Sequence, residues 1–388
     1  MTERLYYESS YEKEFTAKVT GCEKNGERYE VTLDRTAFFP EGGGQLSDSG
    51  YLDGARVFEV QESKNDIIHY TDSPLEVGSA VTGKLDWDIR FRRMQNHTGE
   101  HIVSGTVHSL FGYDNVGFNL GNDIVTVDFN GVLTKDDIRK VEYIANKAVA
   151  DNLSVTAEFP DEMTLEKLDY RSKLELKENV RIVTIDGVDV CACCAPHVGR
   201  TGEIGIIKLL DFEKYKGGVR CRMLCGFDAL NDYNKKYDNI LAISGMLSAK
   251  QHETAAAVKR VTEELEREKS ENLRLKKMLV NASFKDVSET DGNILGVADS
   301  LDMNTLRIFV NGTMPKCKGY AAAFSGNDDD GYIYVIGSEN VNLRDITKDI
   351  NTAINGKGGG SPQMICGSAK ATLKEIGDYM GAEIIKIC

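Results

Sequence analysis

Apolar and polar residues alternate from residue 13 to 39, and CEKNGERY supplies a turn between two such runs, which predicts an antiparallel hairpin. Short segments of the same texture follow, ARVFEVQE and DIIHYTD, set off by LDG and DSP. A small β-barrel or sandwich is expected to about residue 88. At Trp87 the period changes. Phe91, Met94, His97, His101, Val103 and Val107 lie near helical spacing in a stretch that ends at Gly112, which predicts a helix carrying histidines. Strand-like DIVTVDFNG comes next, then an amphipathic helix in TKDDIRKVEYIANKAVADN with Thr134 as N-cap. Mixed texture continues through VRIVTIDGVDVCAC and GEIGIIKLLDFEKYKGGVRCRMLCG.

Between about 235 and 283 the pattern is that of a long charged helix. Val258, Val261, Leu265, Glu268, Asn272, Leu275 and Leu279 recur at alternating spacings of 3 and 4, a heptad seam interrupted by two polar positions. A short coiled coil or helical hairpin is expected there. From 294 to 388, strands GYAAAFSG and GYIYVIGS, helix NLRDITKDINTAIN and loop GKGGGSP read as a separate α/β unit.

A chain of 388 residues is long for one core, and about 150 residues per domain implies two or three domains. Its nine cysteines, with Cys22, Cys317, Cys366 and Cys388 isolated, do not form a secreted disulfide framework, so reduced thiols and a cytoplasmic location are expected. No apolar signal region opens the chain and eighteen consecutive apolar residues occur nowhere, so neither export nor a membrane span is expected. With 47 basic against 61 acidic residues the net charge is -14, which excludes a whole-surface nucleic-acid binder but permits a local basic path.

His97 and His101 are four apart and project from one helical face, as two ligands of one metal must. Cys193 and His197 repeat that spacing after a strand-like run, and HxxxH with CxxxH supplies three nitrogens and a thiolate suited to one zinc per chain. Cys191 shares a strand face with Cys193 and could be a substitute or neighbouring thiol, whereas Cys194 points away. His108 lies too far along the helix to share the ion, and His69 and His252 have no partner in sequence. Glu100 precedes the second histidine rather than following the first, unlike the metalloprotease HExxH. The expected fold class is therefore α+β: an N-terminal small β-barrel (1–88), an α+β domain with the zinc site (89–230), a helical coiled-coil segment (231–285) and a C-terminal α/β domain with a glycine-rich loop (286–388).

RTAFFPEGGGQLSDSG, NHTGEHIVSG, CCAPHVGRTGEIG and GGVRCRMLCG, in that order, resemble the editing domain of alanyl-tRNA synthetase and its free-standing relatives, the AlaX trans-editing proteins. INGKGGGSPQM resembles the glycine-rich loop of the C-terminal domain that the synthetase shares with DHH-type phosphoesterases. Nothing before residue 36 could be an aminoacylation domain, so the long AlaX form without synthetase activity is expected. The resemblance implies hydrolysis of tRNA for alanine wrongly charged with serine or glycine. It makes His97, His101, Cys193 and His197 zinc ligands, Thr36 and Gln45 the pocket groups, Gly42, Gly43 and Gly44 a tight loop at the substrate, and Arg220 a substrate-binding arginine. The usual CGGTH is here Cys193, Cys194, Ala195, Pro196 and His197, and Ser361 replaces the arginine after the C-terminal glycines.

For tRNA, Arg90, Arg92 and Arg93 precede the histidine helix, while Lys208, Lys214, Lys216, Arg220 and Arg222 follow the cysteine loop. Lys357, Gly358 and Gly359, with Gly356 and Gly360, could let the backbone approach phosphates. The helical segment and C-terminal domain are expected to mediate a homodimer. A threonyl-tRNA synthetase editing domain carries a similar ligand arrangement, so the amino acid removed is less secure than the reaction. A non-catalytic tRNA-binding protein with structural zinc and a hydrolase of small aminoacyl esters are the competing readings.

Overall fold

The computed structural model describes residues 1–64, 66–121, 124–172, 179–283 and 287–387. Cys388, Asp123 of the anticipated strand DIVTVDFNG, and residues 284 and 285 of the expected coiled-coil segment lie outside them. The chain divides into two compact units, Met1–Ile240 and Leu241–Cys388.

In the first unit, Glu14–Asn25 pairs with Arg28–Leu33, and the pairings continue through Asp66–Thr71, Ala55–Ser63, Gly50–Leu52 and Ala80–Leu85, which returns to Glu14–Asn25. Alternation puts Phe15, Val19, Val31, Leu33, Val57 and Ile67 inside this ring. The histidine helix, Trp87–Phe111, ends at Gly112, whose positive φ of 69° forms a left-handed cap with its N–H on the His108 carbonyl. Met94, Ile102, Val103 and Val107 share a core with Val125, Val127 and Phe129 of one strand and with Val141 and Ala145 of the helix Lys135–Ala150. Thr134 caps that helix in a reciprocal capping box with Asp137. Beneath lies a four-stranded antiparallel sheet ordered Ile207–Tyr215, Gly218–Cys225, Val125–Phe129, Asn115–Leu120, and beside it a three-stranded sheet of Val155–Glu158, Ile182–Ile185 and Asp189–Ala192.

The second unit contains a six-stranded sheet ordered Gly356–Gly360, Met364–Ala369, Gly331–Gly337, Ala321–Asn327, Ile294–Ala298, Ile384–Lys386. Among the described residues of this sheet, the two pairings made by Ile294–Ala298 are parallel and the other three antiparallel.

The expected fold class is corrected by these pairings and units. The described residues form an α+β protein of several sheets, and the N-terminal strands share one compact unit with the metal-ligating residues rather than standing apart. The C-terminal sheet is mixed and largely antiparallel, so that unit is α+β and not α/β. The stretch from about 235 to 283, expected as a long charged helix forming a short coiled coil or helical hairpin, holds parts of two helices, Gly226–Leu247 and Thr254–Ser283, and the seam residues Val258, Val261, Leu265, Leu275 and Leu279 of the second are exposed.

Two buried polar networks fix the first unit. Arg90, near the start of the histidine helix, is fully buried and donates to Asp48, to the Ala37 carbonyl (2.6 Å) and to the Ser10 carbonyl (3.1 Å), while Asp48 also accepts the Phe39 N–H (2.7 Å). His69 donates from Nδ1 to the Val31 carbonyl (3.1 Å), so its Nε2 accepts from the Thr36 hydroxyl (2.8 Å), which in turn accepts the Phe38 N–H (3.1 Å). Burial pushes the His69 pKa down to about 4.

Removing Asp48 leaves Arg90 uncompensated in the interior, and Asp48→Ala is expected to cost about 3–5 kcal/mol in urea unfolding. Because folding depresses the His69 pKa, the unfolded chain binds the extra proton. Stability is expected to fall between pH 6.5 and about 4, by about 3 kcal/mol from this group, and to level off below. His69→Gln should remove that component of the pH dependence, which unfolding curves across the range would measure.

Candidate metal centre

The loop PEGGGQ reaches the histidine helix through a two-residue turn. Gly42 and Gln45 exchange both backbone hydrogen bonds at 3.0 Å around Gly43 (φ 61°) and Gly44 (φ 82°), a type I′ geometry open to glycine. A Cβ on Gly44 would lie 2.6 Å from the Phe118 carbonyl oxygen, and Gly44 accepts the Leu120 N–H at 2.8 Å. So seated, Gln45 presents Oε1 2.8 Å from His97 Nδ1.

The other two histidines are held the same way. His101 Nδ1 lies 2.9 Å from Asp189 Oδ2, and Arg171 grips Asp189 with Nε and Nη2 at 2.7 and 2.9 Å. His197 Nδ1 lies 3.0 Å from the Thr98 hydroxyl oxygen, which also accepts the Val198 N–H at 3.2 Å. Gly105 makes the second arrangement possible, since a Cβ there would stand 2.5 Å from the Val188 carbonyl oxygen and 2.8 Å from Asp189 Cβ. The helix and the strand carrying Asp189 therefore meet backbone to backbone.

In the tautomer that donates each Nδ1–H outward to these partners, as a metal requires, each Nε2 turns a lone pair inward. His97 Nε2 and His197 Nε2 lie 3.5 and 3.3 Å from Cys193 Sγ, and ligand atoms of His97, His101, Cys193 and His197 all fall within 4.8 Å of one another. Although burial opposes it, the surrounding His97 and His197 hold the Cys193 thiol well below its ordinary pKa, toward the thiolate a metal requires. Burial pushes His197 down to about 3, toward the neutral imidazole. Against burial, His101 and Arg171 keep Asp189 below the usual carboxylate range. The donor set fits zinc in nitrogen and sulfur content and in its orienting partners. His101, Asp189 and Cys191 form an overlapping second group.

His97, His101, Asp189, Cys191 and Cys193 line a cavity of about 1260 Å³ that also exposes Gly43, Gly44, Tyr7, Phe118, Phe159 and Arg181. Glu100 lines it too, buried and accepting from Ser104 (2.5 Å) and Asn115. Cys194, with its pKa raised to about 11 by burial, and Cys191 complete that wall. In the unusual turn, Ala195 is fully buried against Tyr6 and Phe39, and Pro196 is buried beside it.

Several expected site residues sit elsewhere. Thr36 is fully buried and its proton is committed to His69, and Thr36, Gly42, Gln45 and His197 are not among the residues on the cavity wall. Arg220 is held by Asp128 at 2.6 and 2.7 Å and stacks 3.8 Å from the Tyr215 ring, away from that wall. The anticipated basic path is largely neutralised. Arg92 pairs with Asp228 at 2.7 Å, buried Arg93 donates to the Ser47 carbonyl, Arg222 pairs with Asp211 at 2.5 Å, and Lys208 pairs with Glu142 at 2.7 Å. The loop bearing Lys357, Gly358 and Gly359 is an exposed strand paired along Met364–Ala369.

Sequence reasoning passed over Asp189, Thr98 and Arg171. Asp189 had a signal, since Asp189, Cys191 and Cys193 alternate along one strand face. Thr98 and Arg171 had none, because their partners lie on distant segments. Asp189→Asn should weaken zinc binding by about 10- to 100-fold in chelator competition. An unchanged affinity would mean that Asp189 does not set the His101 ring.

Residues 180–222 match the family described as threonyl and alanyl tRNA synthetase second additional domain, and residues 2–89 match class II (A) tRNA synthetases. The chain is 31% identical over 404 aligned positions to the alanyl-tRNA editing protein AlaX-L of Pyrococcus horikoshii, covering 97% of each. It is 32% identical over 310 positions to the alanine–tRNA ligase of Ignicoccus hospitalis, which takes in 75% of this chain but 33% of the ligase. The C-Ala domain from Aquifex aeolicus alanyl-tRNA synthetase aligns at 22% identity over 24% of this chain and 93% of that one, with a TM-score of 0.22, too low to define a shared fold. Similarity along almost the full length of both chains, together with the two family matches, shows that this chain belongs to the AlaX-L family of alanyl-tRNA editing proteins.

Proposed function

We propose that the protein hydrolyses the ester joining a wrong amino acid to tRNA for alanine, seryl-tRNA first and glycyl-tRNA second, at a site holding one zinc ion per chain. Its class, an aminoacyl-tRNA editing hydrolase, follows from its family. The observation that supports a zinc-dependent reaction is the convergence of three outward-tethered imidazoles and one thiol, of which His97, His101 and Cys193 lie on the wall of a cavity. When bound, zinc supplies a Lewis acid that can polarise a carbonyl or acidify a water.

The protein's own groups supply selectivity in this reading. A pocket for alanine rejects serine by only about a hundredfold, whereas a site built to bond a hydroxyl rejects the analogue lacking it by roughly 10⁴ to 10⁵. Gln45 gives its oxygen to His97 and keeps a buried amide Nε2 without a partner. That donor is our choice for the serine hydroxyl, and Thr36 supports the loop bearing Gln45 from beneath through its bonds to His69 and Phe38. Lys357 and the backbone at Gly358 and Gly359 are the proposed tRNA contacts of the second unit, while the pairing of Arg92, Arg93 and Arg220 leaves them positioning parts. The exposed seam of Thr254–Ser283 is the proposed contact between two copies, and the proposed location is the cytoplasm. No helix among the described residues is long and apolar enough to cross a membrane.

One observation favours a second reading. Four protein ligands are the complement of a closed, structural zinc site. Incubating the protein with seryl-, glycyl- and alanyl-tRNA for alanine distinguishes them. We expect release of serine and glycine, sparing of alanine, loss of activity on chelation and recovery with zinc. His97→Ala should lose both zinc and activity. If tRNA binds and no mischarged species is hydrolysed, the structural reading replaces ours.

A further inference from the structure

Arg181 stands immediately before the strand Ile182–Ile185 and is only 6% exposed. Its Nη1 donates to the carbonyls of Cys193 (3.1 Å) and Ala195 (2.8 Å), and its Nε is buried with no partner. The other buried arginines differ. Arg90 is paired with Asp48, Arg93 has Asp48 at 3.9 Å, and the partly buried Arg171 is paired with Asp189. Among the described residues no carboxylate forms an ion pair with Arg181. A guanidinium withdrawn from water and left without an anion is expensive, and such a charge is retained where a ligand completes it. The nearby Cys193 thiolate does not do so once it binds metal, because three neutral imidazoles and one thiolate leave zinc with a net positive charge.

The surroundings specify the missing anion. The Tyr7 ring centroid lies 5.4 Å from Arg181 Cζ, and Phe159 meets Tyr7 edge to face at 5.3 Å. Arg181, Tyr7 and Phe159 all line the cavity that holds His97, His101 and Cys193. In an aminoacyl ester the amino acid's carboxyl is already esterified, so the anion nearest the scissile bond is a phosphate. An anion site joined to an aromatic pair matches a nucleotide, whose base has an apolar face and whose phosphate takes charge-assisted hydrogen bonds.

Resting on the editing reading above, we infer that Arg181, Tyr7 and Phe159 form the subsite for the substrate's 3′-terminal nucleotide. Arg181 binds its 5′-phosphate and the aromatic pair packs against its base. The phosphate thereby fixes how far the esterified ribose enters the cavity, so Arg181 is a positioning residue for the ester.

The test compares adenosine 5′-monophosphate with adenosine, by titration calorimetry on the zinc-loaded protein. We expect the monophosphate to bind about tenfold more tightly or better, as a charge-assisted hydrogen bond allows. Arg181→Gln should bring the two ligands to parity at unchanged zinc content, and Arg181→Lys should keep part of the difference. Equal binding of both ligands by the wild-type protein overturns the inference and needs no variant. A phosphate preference that survives in Arg181→Gln also overturns it. In kinetics, Arg181→Gln should raise KM for seryl-tRNA about tenfold or more and leave seryl-adenosine, which has no phosphate, unchanged. Equal losses on both substrates would reduce Arg181 to a clamp on the Cys193 and Ala195 carbonyls. If the wild type prefers the monophosphate yet hydrolyses no ester, the subsite stands and the editing reading fails.

Discussion

Every imidazole in the metal cluster has to keep its proton on Nδ1, donated in a hydrogen bond, for Nε2 to face an ion, and the first unit is assembled around that requirement. The three acceptors come from three places: Gln45 on a turn beside the N-terminal strands, Asp189 on the small antiparallel sheet, and Thr98 on the histidine helix itself. None could serve without backbone that brings it near. The Gly43–Gly44 turn carries Gln45 in, Gly105 admits Asp189, and Thr98 is one residue from His97. The chemistry of one centre thus couples segments separated by about ninety residues.

That coupling tolerates little slack, which explains the charged anchor beneath it. Arg90 ties the start of the histidine helix to Asp48 and to the carbonyls of Ala37 and Ser10, so the helix is registered against the same loop that bears Gln45. A buried ion pair adds little net stability over well-packed apolar residues, but its directional hydrogen bonds admit one arrangement. Here that arrangement sets the height of His97 above the turn. Thr36 and His69 form a second rigid support under the same loop, through hydrogen bonds that run in one direction from Phe38 to Val31.

Local periodicity made much of this legible. The change from alternation to helical spacing at Trp87 coincides with the helix Trp87–Phe111, Thr134 is its neighbour's cap, and the residues joined by HxxxH and CxxxH spacing lie together. Interactions between distant segments were not legible. Arg92, Arg93 and Arg220 look like phosphate binders in sequence, because Asp228, Ser47 and Asp128, which occupy them, lie far away along the chain. Glycines at 356, 358, 359 and 360 read as a loop because glycine has little intrinsic preference for strands, and pairing with Met364–Ala369 overrides that preference. The mixed C-terminal sheet escaped notice for a related reason. Strand and helix alternate in sequence, but the direction in which one strand meets the next is a property of the connection.

The turn that separates Cys193 from His197 bears on how far apart the two ligands stand. Pro196 has its φ fixed near about -65° by its ring, and Ala195 fills a closed apolar corner with Tyr6 and Phe39. The span between these two ligands is therefore set whether or not an ion is present. The opposite side of the centre is held differently, because His97 is braced there by a side chain carried on the Gly43–Gly44 turn and not by the chain that bears the thiol.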